Sequence, residues 1–247
     1  MRSFATAALV AVASARLSAQ DFEFINYMAK FGKSYETLEE FQMRAALFQK
    51  WDQEIKQINA NEYTSTHGHN ALSDWTAEEK TRLLGLKNMH IELQPRTAES
   101  EVKVGAGAPP TSWNWVTAGN YVNPIQDQGQ CGSCWAFSAT ASQESSIAIS
   151  TGTLYKFAEQ NYVSCSFLQG NLGCNGGMYG RAWNYAKTHP VMYETAYPYT
   201  SGTTMKSGSC TYDATQGHGG ASSFFSVGTD NTSIMTAIRS EEHTSEL

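Results

Sequence analysis

Residues 128–138 read Gln-Gly-Gln-Cys-Gly-Ser-Cys-Trp-Ala-Phe-Ser, and no other stretch of the 247-residue chain limits its fold and chemistry as tightly. From Cys134 to about Ser150, apolar and small residues alternate with polar ones at near-helical spacing, and Gly152 can end the run. That spacing predicts a helix with Cys134 in its first turn. Unpaired backbone N–H groups and the helix macrodipole favour an anion there, which lowers the pKa of a thiol. Gln128 stands six residues earlier and brings a side-chain amide towards the same end. A thiolate beside an amide donor suits attack on a carbonyl and stabilisation of the oxyanion that forms. The Cys131-x-x-Cys134 pair by itself also fits a redox dithiol, half a zinc site or one end of a disulfide. A redox pair belongs after a strand in a βαβ unit, and a zinc site needs a second ligand pair at short spacing. Cys165, Cys174 and Cys210 form no second such pair.

The N-terminus carries Arg2, an apolar run from Phe4 to Val12 and then Ala13-Ser14-Ala15. This is the layout of a secretory signal peptide over residues 1–19, with cleavage after Ala15 or Ala19. The apolar core is too short for a permanent anchor, and no later segment is apolar enough to span a bilayer. A lumenal or secreted product without a membrane anchor is expected. A net charge of −6 leaves no basic footprint for nucleic acid. No cofactor or metal is expected; His67 and His69, at i and i+2 in a loop-like stretch, read as surface or structural residues. Five cysteines fit an oxidising route. With Cys134 free, the other four allow three pairings, and spacing does not choose among them.

The segment 128–138 resembles the active-site segment of papain-like cysteine peptidases, the cathepsin family. The resemblance implies Cys134 as nucleophile, with the Gln128 amide and the Cys134 backbone N–H as oxyanion donors. It also implies the disulfides Cys131–Cys174 and Cys165–Cys210, each stabilising by roughly 2–4 kcal/mol in the chain-entropy account. A second resemblance lies in Cys174-Asn175-Gly176-Gly177. In the family this segment lines the cleft and bonds an extended substrate main chain, with Gly177 as the main contact. Gly132, Ser133, Gly176, Gly177, Met178 and Tyr179 are the substrate-binding residues it implies. Large side chains at Met178 and Tyr179 suggest an apolar or aromatic P2 preference. Glu144, Glu159 and Gln160 also match family positions and read as structural. Asn231-Thr232-Ser233 is a glycosylation sequon in a secreted chain.

Residues 20–108 differ in character, with 14 acidic and 10 basic residues against 6 and 4 in 109–238. Glu40, Arg44, Phe48, Trp51, Ile55 and Asn59 recur at helical spacing, so Phe48, Trp51 and Ile55 form an apolar stripe. The series resembles the Glu-Arg-Phe-Asn-Ile-Asn helix of cathepsin L-like propeptides, with Trp51 where the family often has Asn. Residues 68–74, Gly-His-Asn-Ala-Leu-Ser-Asp, resemble the Gly-x-Asn-x-Phe-x-Asp motif that follows it, with Leu72 for Phe. The resemblance implies a small helical domain over 20–108 whose extended tail lies along the cleft and acts as an intramolecular inhibitor. The Gly/Ala/Pro-rich stretch 99–110 reads as an activation linker, placing the mature N-terminus near 108–110.

The family needs a histidine base and an orienting amide or carboxylate, about 130–150 residues beyond the cysteine. His189 and His218 come too early and lack the family's surroundings. Residues 239–247 resemble the conceptual translation of a sequencing-library adapter, so native sequence is expected to stop at Ile238. The expected class is α+β: a papain-like two-lobe fold represented by its mainly helical N-terminal lobe, residues 109–238, after the propeptide domain. The expected function is that of a cysteine endopeptidase zymogen acting on protein or peptide substrates, in the lysosome or outside the cell. The sequence in hand is expected to be a truncated, inactive and poorly stable part of it. The rival reading is a non-catalytic homologue acting as inhibitor or binding protein.

Overall fold

Ser18 starts the first helix: its hydroxyl accepts from the Asp21 N–H at 3.1 Å, and the Asp21 carboxylate accepts from the Ser18 N–H at 2.9 Å. Such a reciprocal box satisfies two orphan donors of a helix end. The computed structural model describes residues 18–61, 64–85, 111–224 and 226–239. Most of the signal-peptide segment, the activation linker and tail residues 240–247 lie outside them. The chain divides into two compact units, Met1–Lys80 and Thr81–Leu247.

In the first unit, α1 (Ala19–Phe31) ends on Gly32, whose φ of 62° closes the helix in the left-handed region that glycine tolerates. Thr37 caps α2 (Leu38–Ala60) by accepting from the Glu40 N–H. The two helices bury Phe24, Tyr27, Ala45 and Phe48, with Phe31, Tyr35 and Phe41 packed around them. Burying one such phenylalanine contributes about 1.5–3 kcal/mol. Phe48 is buried and Trp51 and Ile55 half-buried, as the helical stripe predicts. Asn59 turns its amide to the loop, exchanging two 2.8 Å hydrogen bonds with the His67 backbone. His69 stacks on Phe48 at 4.1 Å and lies 3.4 Å from Asp52, a structural position. The motif aspartate, Asp74, is buried and accepts from the Tyr27 and Tyr35 hydroxyls at 2.7 Å and from Lys33 at 3.1 Å. Arg44 pairs with both Glu79 oxygens at the start of α3 (Ala77–Thr81) and donates to the Asp74 carbonyl at 3.0 Å.

The second unit runs through α4 (Trp115–Ala118), α5 (Cys134–Thr151), α6 (Glu159–Cys165), α7 (Tyr179–Ala186), β1 (Val191–Met192), α8 (Ser201–Thr204), β2 (Gly217–Gly219) and α9 (Asn231–Arg239). β1 and β2 pair antiparallel, Val191 opposite Gly219 and Met192 opposite Gly217, with a register irregularity between the pairs. The unit is mainly helical, with α5, α6 and α7 packed on Trp135, Ile147, Phe157, Tyr162, Val163 and Tyr185. Ala136, Ala139 and Ala182 are fully buried, and their small side chains let α5 and α7 approach closely. Gly152, at φ 75°, ends α5 where the spacing predicts. Glu144 is buried beneath Phe157: its carboxylate accepts from the Phe157 N–H at 2.7 Å and the Asn123 amide at 2.8 Å, and lies 3.3 Å from Lys156. Gln160 accepts from the Thr200 and Ser201 N–H groups and donates to Ser164, Ser201 and the Ser207 carbonyl. Every polar group of these two side chains thus serves the fold. Asn231, the sequon asparagine, is the exposed first residue of α9.

Candidate active site

Disulfides join Cys131 to Cys174 and Cys165 to Cys210, leaving Cys134 as the free cysteine. The first of them ties the loop before α5 to the turn before Gly176, and the Gly132 N–H adds a 3.1 Å bond to the Cys174 carbonyl. Cys134 is the first residue of α5 and half-buried. Ser133, which precedes it, makes no side-chain cap: its buried hydroxyl turns away to the Tyr199 phenol at 2.7 Å. The first-turn N–H groups of α5 therefore have no competing cap, which leaves the helix end open to an anion. Gln128 Nε2 donates to the Cys131 carbonyl at 2.8 Å and to the Leu83 carbonyl at 3.1 Å.

Leu83 belongs to a stretch that crosses this site. The Gly85 carbonyl accepts from the Gly177 N–H at 3.0 Å. A Cβ at Gly85 would stand 2.9 Å from Cys134 Sγ and 2.6 Å from the Gly132 carbonyl oxygen, so a glycine is required for the chain to pass over the thiol. The opposing wall is cleared in the same way: a Cβ at Gly176 (φ 119°) would lie 2.5 Å from the Gly85 oxygen. The main-chain donor at Gly177 and the side-chain donor at Gln128 are thus both taken by carbonyls of residues 83 and 85. Met178 is buried, its N–H held by Asn171 Oδ1 at 2.8 Å, while Tyr179 is 37% exposed and packs on Trp183. Residues 83–85 thus meet Gln128, Gly132, Cys134, Gly176 and Gly177, while the Ser133 hydroxyl faces Tyr199, Met178 is buried and Tyr179 is at the surface.

Among the described residues of this unit the histidines are His189 and His218, and both are engaged elsewhere. His189 stacks on Tyr185 at 4.6 Å with Nδ1 2.8 Å from Thr188 Oγ1, and His218 stacks on Tyr193 at 4.2 Å. No group of three or more metal-ligating side chains is present among the described residues. Near the site, burial pushes Glu194 up to about 7 and the Tyr199 phenol up to about 12. Sequence reasoning passed over Leu83, Gly85, Asn171 and Tyr199. Gly85 had a readable signal, a single glycine within the apolar stretch 83–86. The other three act through hydrogen bonds that no local pattern encodes.

Residues 109–245 match the papain family cysteine protease domain, and residues 24–79 match the cathepsin propeptide inhibitor domain. The chain belongs to the papain family. It is 35% identical over 199 residues to pro-cathepsin H of Bos taurus, covering 79% of this chain and 56% of that protein. It is likewise 35% identical over 206 residues to digestive cysteine proteinase 2 of Homarus americanus, covering 80% and 61%. Among solved structures, digestive procathepsin L 3 from the larval midgut of Tenebrio molitor superposes with a TM-score of 0.72 at 28% identity, covering 90% of this chain and 71% of that one. This papain-family chain thus spans less than two thirds of the length of these curated relatives. Its propeptide domain is of the inhibitory kind, and no described helix is long and apolar enough to cross a membrane.

Proposed function

We propose that the full-length protein is a cysteine-type endopeptidase made as a self-inhibited precursor, with Cys134 as nucleophile. One observation carries this: an unpaired cysteine opens a buried 18-residue helix beside a glutamine amide, under a pro-segment that only glycine lets pass. Thiolate attack on a peptide carbonyl yields a tetrahedral oxyanion, which the Gln128 Nε2 and the Cys134 backbone N–H stabilise. In the precursor the Leu83 carbonyl occupies the Gln128 amide and the Gly85 carbonyl the Gly177 N–H, so both donors become free when the pro-segment leaves. The residues beside Gly177, with Met178 in the wall and Tyr179 at the rim, favour apolar or aromatic P2 side chains. His189 and His218 are committed to aromatic stacks, so neither is assigned as the histidine base. We place the mature N-terminus near 108–110, a signal peptide at 1–19 that directs the protein to the secretory pathway, and a non-native tail at 239–247. Lysosome or extracellular space is the destination.

The test is hydrolysis of fluorogenic peptides by the full-length protein after processing at acidic pH. Cys134→Ala should abolish turnover, and Gln128→Ala should lower kcat about 100- to 1,000-fold. A processed wild type that binds peptides but cleaves none would instead point to an inhibitor or binding protein.

A further inference from the structure

The Tyr199 phenol joins Gln128, which the proposed chemistry uses, to Ser133, the residue before the nucleophile, without taking part in the chemistry. Its oxygen lies 2.8 Å from the Gln128 carbonyl oxygen and 2.7 Å from Ser133 Oγ. A carbonyl has no proton to give, so the phenol donates to Gln128, and the Ser133 hydroxyl donates to the phenol. The Ser133 hydroxyl also lies 3.4 Å from the Cys131 carbonyl, a longer contact than the 2.7 Å one to the phenol. Ser133 is fully buried and immediately precedes Cys134, while Gln128 carries the oxyanion amide. The Tyr199 ring meets Phe137, in the first turn of α5, edge-on at 4.9 Å. Its N–H is anchored 2.8 Å from Glu194 Oε1.

The backbone behind the phenol repeats the same link. The Gln130 N–H donates to the Gly202 carbonyl at 2.9 Å. A Cβ at Gly129 (φ 57°) would fall 2.7 Å from Gly202, and one at Gly202 would lie 2.9 Å from both the Gln128 oxygen and the Tyr199 ring. The loop carrying Gln128 is therefore seated on residues 199–202 with no space for a side chain between them. Burial keeps the phenol protonated, and so a donor, across the working range of a peptidase.

We propose that Tyr199 is a positioning residue: by bridging the Gln128 main chain to Ser133, it sets the spacing between the Gln128 amide and the Cys134 N–H. This rests on the peptidase reading given above. Oxyanion donors work only when held about 2.7–3.1 Å from where the charge develops, and misplacement by about 1 Å can cost on the order of 100-fold.

Tyr199→Phe in the full-length, activated protein keeps the ring against Phe137 and removes only the bridge. The expected result is a fall in kcat of about tenfold at unchanged KM, the size of one hydrogen bond expressed in the transition state. In a Gln128→Ala background the same change should cost nothing more, because the amide it positions is gone. Alkylation of Cys134 by iodoacetamide, which forms no oxyanion, should proceed at the wild-type rate. An additive loss in the Gln128→Ala background, an equal fall in alkylation rate, or an unchanged kcat each overturns the proposal. Ser133→Ala removes the other end of the bridge and should give a smaller fall with the same split, so it decides the matter if Tyr199→Phe does not fold. A wild type without peptidase activity, or one indifferent to Gln128→Ala, defeats the peptidase reading and this inference together. An active wild type impaired by Gln128→Ala but not by either bridge variant defeats the bridge alone.

Discussion

In the unit Met1–Lys80 carboxylates hold the structure together while ionised, whereas in Thr81–Leu247 the carboxylates with raised pKa sit where ionisation is opposed. The Arg44 guanidinium holds Glu79 down to about 2. Burial opposes ionisation of Asp74, but hydrogen bonds from Tyr27, Tyr35 and Lys33 outweigh it and keep the carboxyl below its usual range. In the second unit burial dominates: it raises Glu144 despite the Asn123 and Phe157 donors, and it lifts Glu194 to about 7. The second unit also has two disulfides, and the first contains no cysteine. The first unit thus relies on carboxylate bonds at Asp74 and Glu79 that acid removes, whereas Glu144 and Glu194 of the second are relieved by acid; its unburied Asp213 and Asp230 are held down by Thr215, Gln216 and Ser233.

The largest test of the comparison is Phe24→Ala. Phe24 is fully buried at the centre of the aromatic cluster, and its truncation should cost about 3–5 kcal/mol. Peptide-resolved hydrogen exchange should show protection lost in α1 and α2 and retained in α5–α7. Equal loss in both units would mean that they unfold as one, and the comparison would break. The converse change is Cys165→Ser with Cys210→Ser, which opens a loop of sequence separation 45 in the second unit. About 2–5 kcal/mol should be lost there, seen as a lower denaturant midpoint, with α1 and α2 protection unchanged.

How much of this was legible beforehand follows from the range of the interactions involved. The helix from Cys134 and its glycine end were readable because helical periodicity is local, and so was the stripe Phe48, Trp51 and Ile55. Asn59 sits on that stripe by spacing yet serves the loop at His67, since spacing gives a direction but not a partner. Likewise the motif residue Asp74 could be singled out, but not its two tyrosine donors, which lie 47 and 39 residues away. The active site divides the same way. Cys134 and Gln128 share one short motif, whereas Leu83 and Tyr199 reach Gln128 across 45 and 71 residues.

The smallest expected effects are the sharpest, because they have opposite signs. Glu79 has its folded pKa depressed from 4.5 to about 2, so its contribution is present above pH 4.5 and is lost as the pH falls towards 2. Glu194 has its folded pKa raised from 4.5 to about 7, so its contribution is full below pH 4.5 and is lost as the pH rises through 7. Between pH 8 and 4.5 the peptidase unit therefore gains on the inhibitory one, and below 4.5 the inhibitory unit begins to fail. Glu79→Gln should remove the acid limb of the first unit and cost about 1–3 kcal/mol at pH 7 through the broken Arg44 pair. Glu194→Gln keeps an acceptor for the Tyr199 N–H and removes the charge beside Glu159. It should leave the second unit's melting temperature unchanged at pH 4.5 and raise it by about 2 °C at pH 8. Melting curves of Glu79→Gln at pH 7 and below pH 4.5, and of Glu194→Gln at pH 4.5 and 8, read these effects. If Glu194→Gln shifted the melting temperature equally at pH 4.5 and pH 8, the buried carboxyl would not be titrating in this range. The opposition between the units would then rest on the first unit's ion pairs alone.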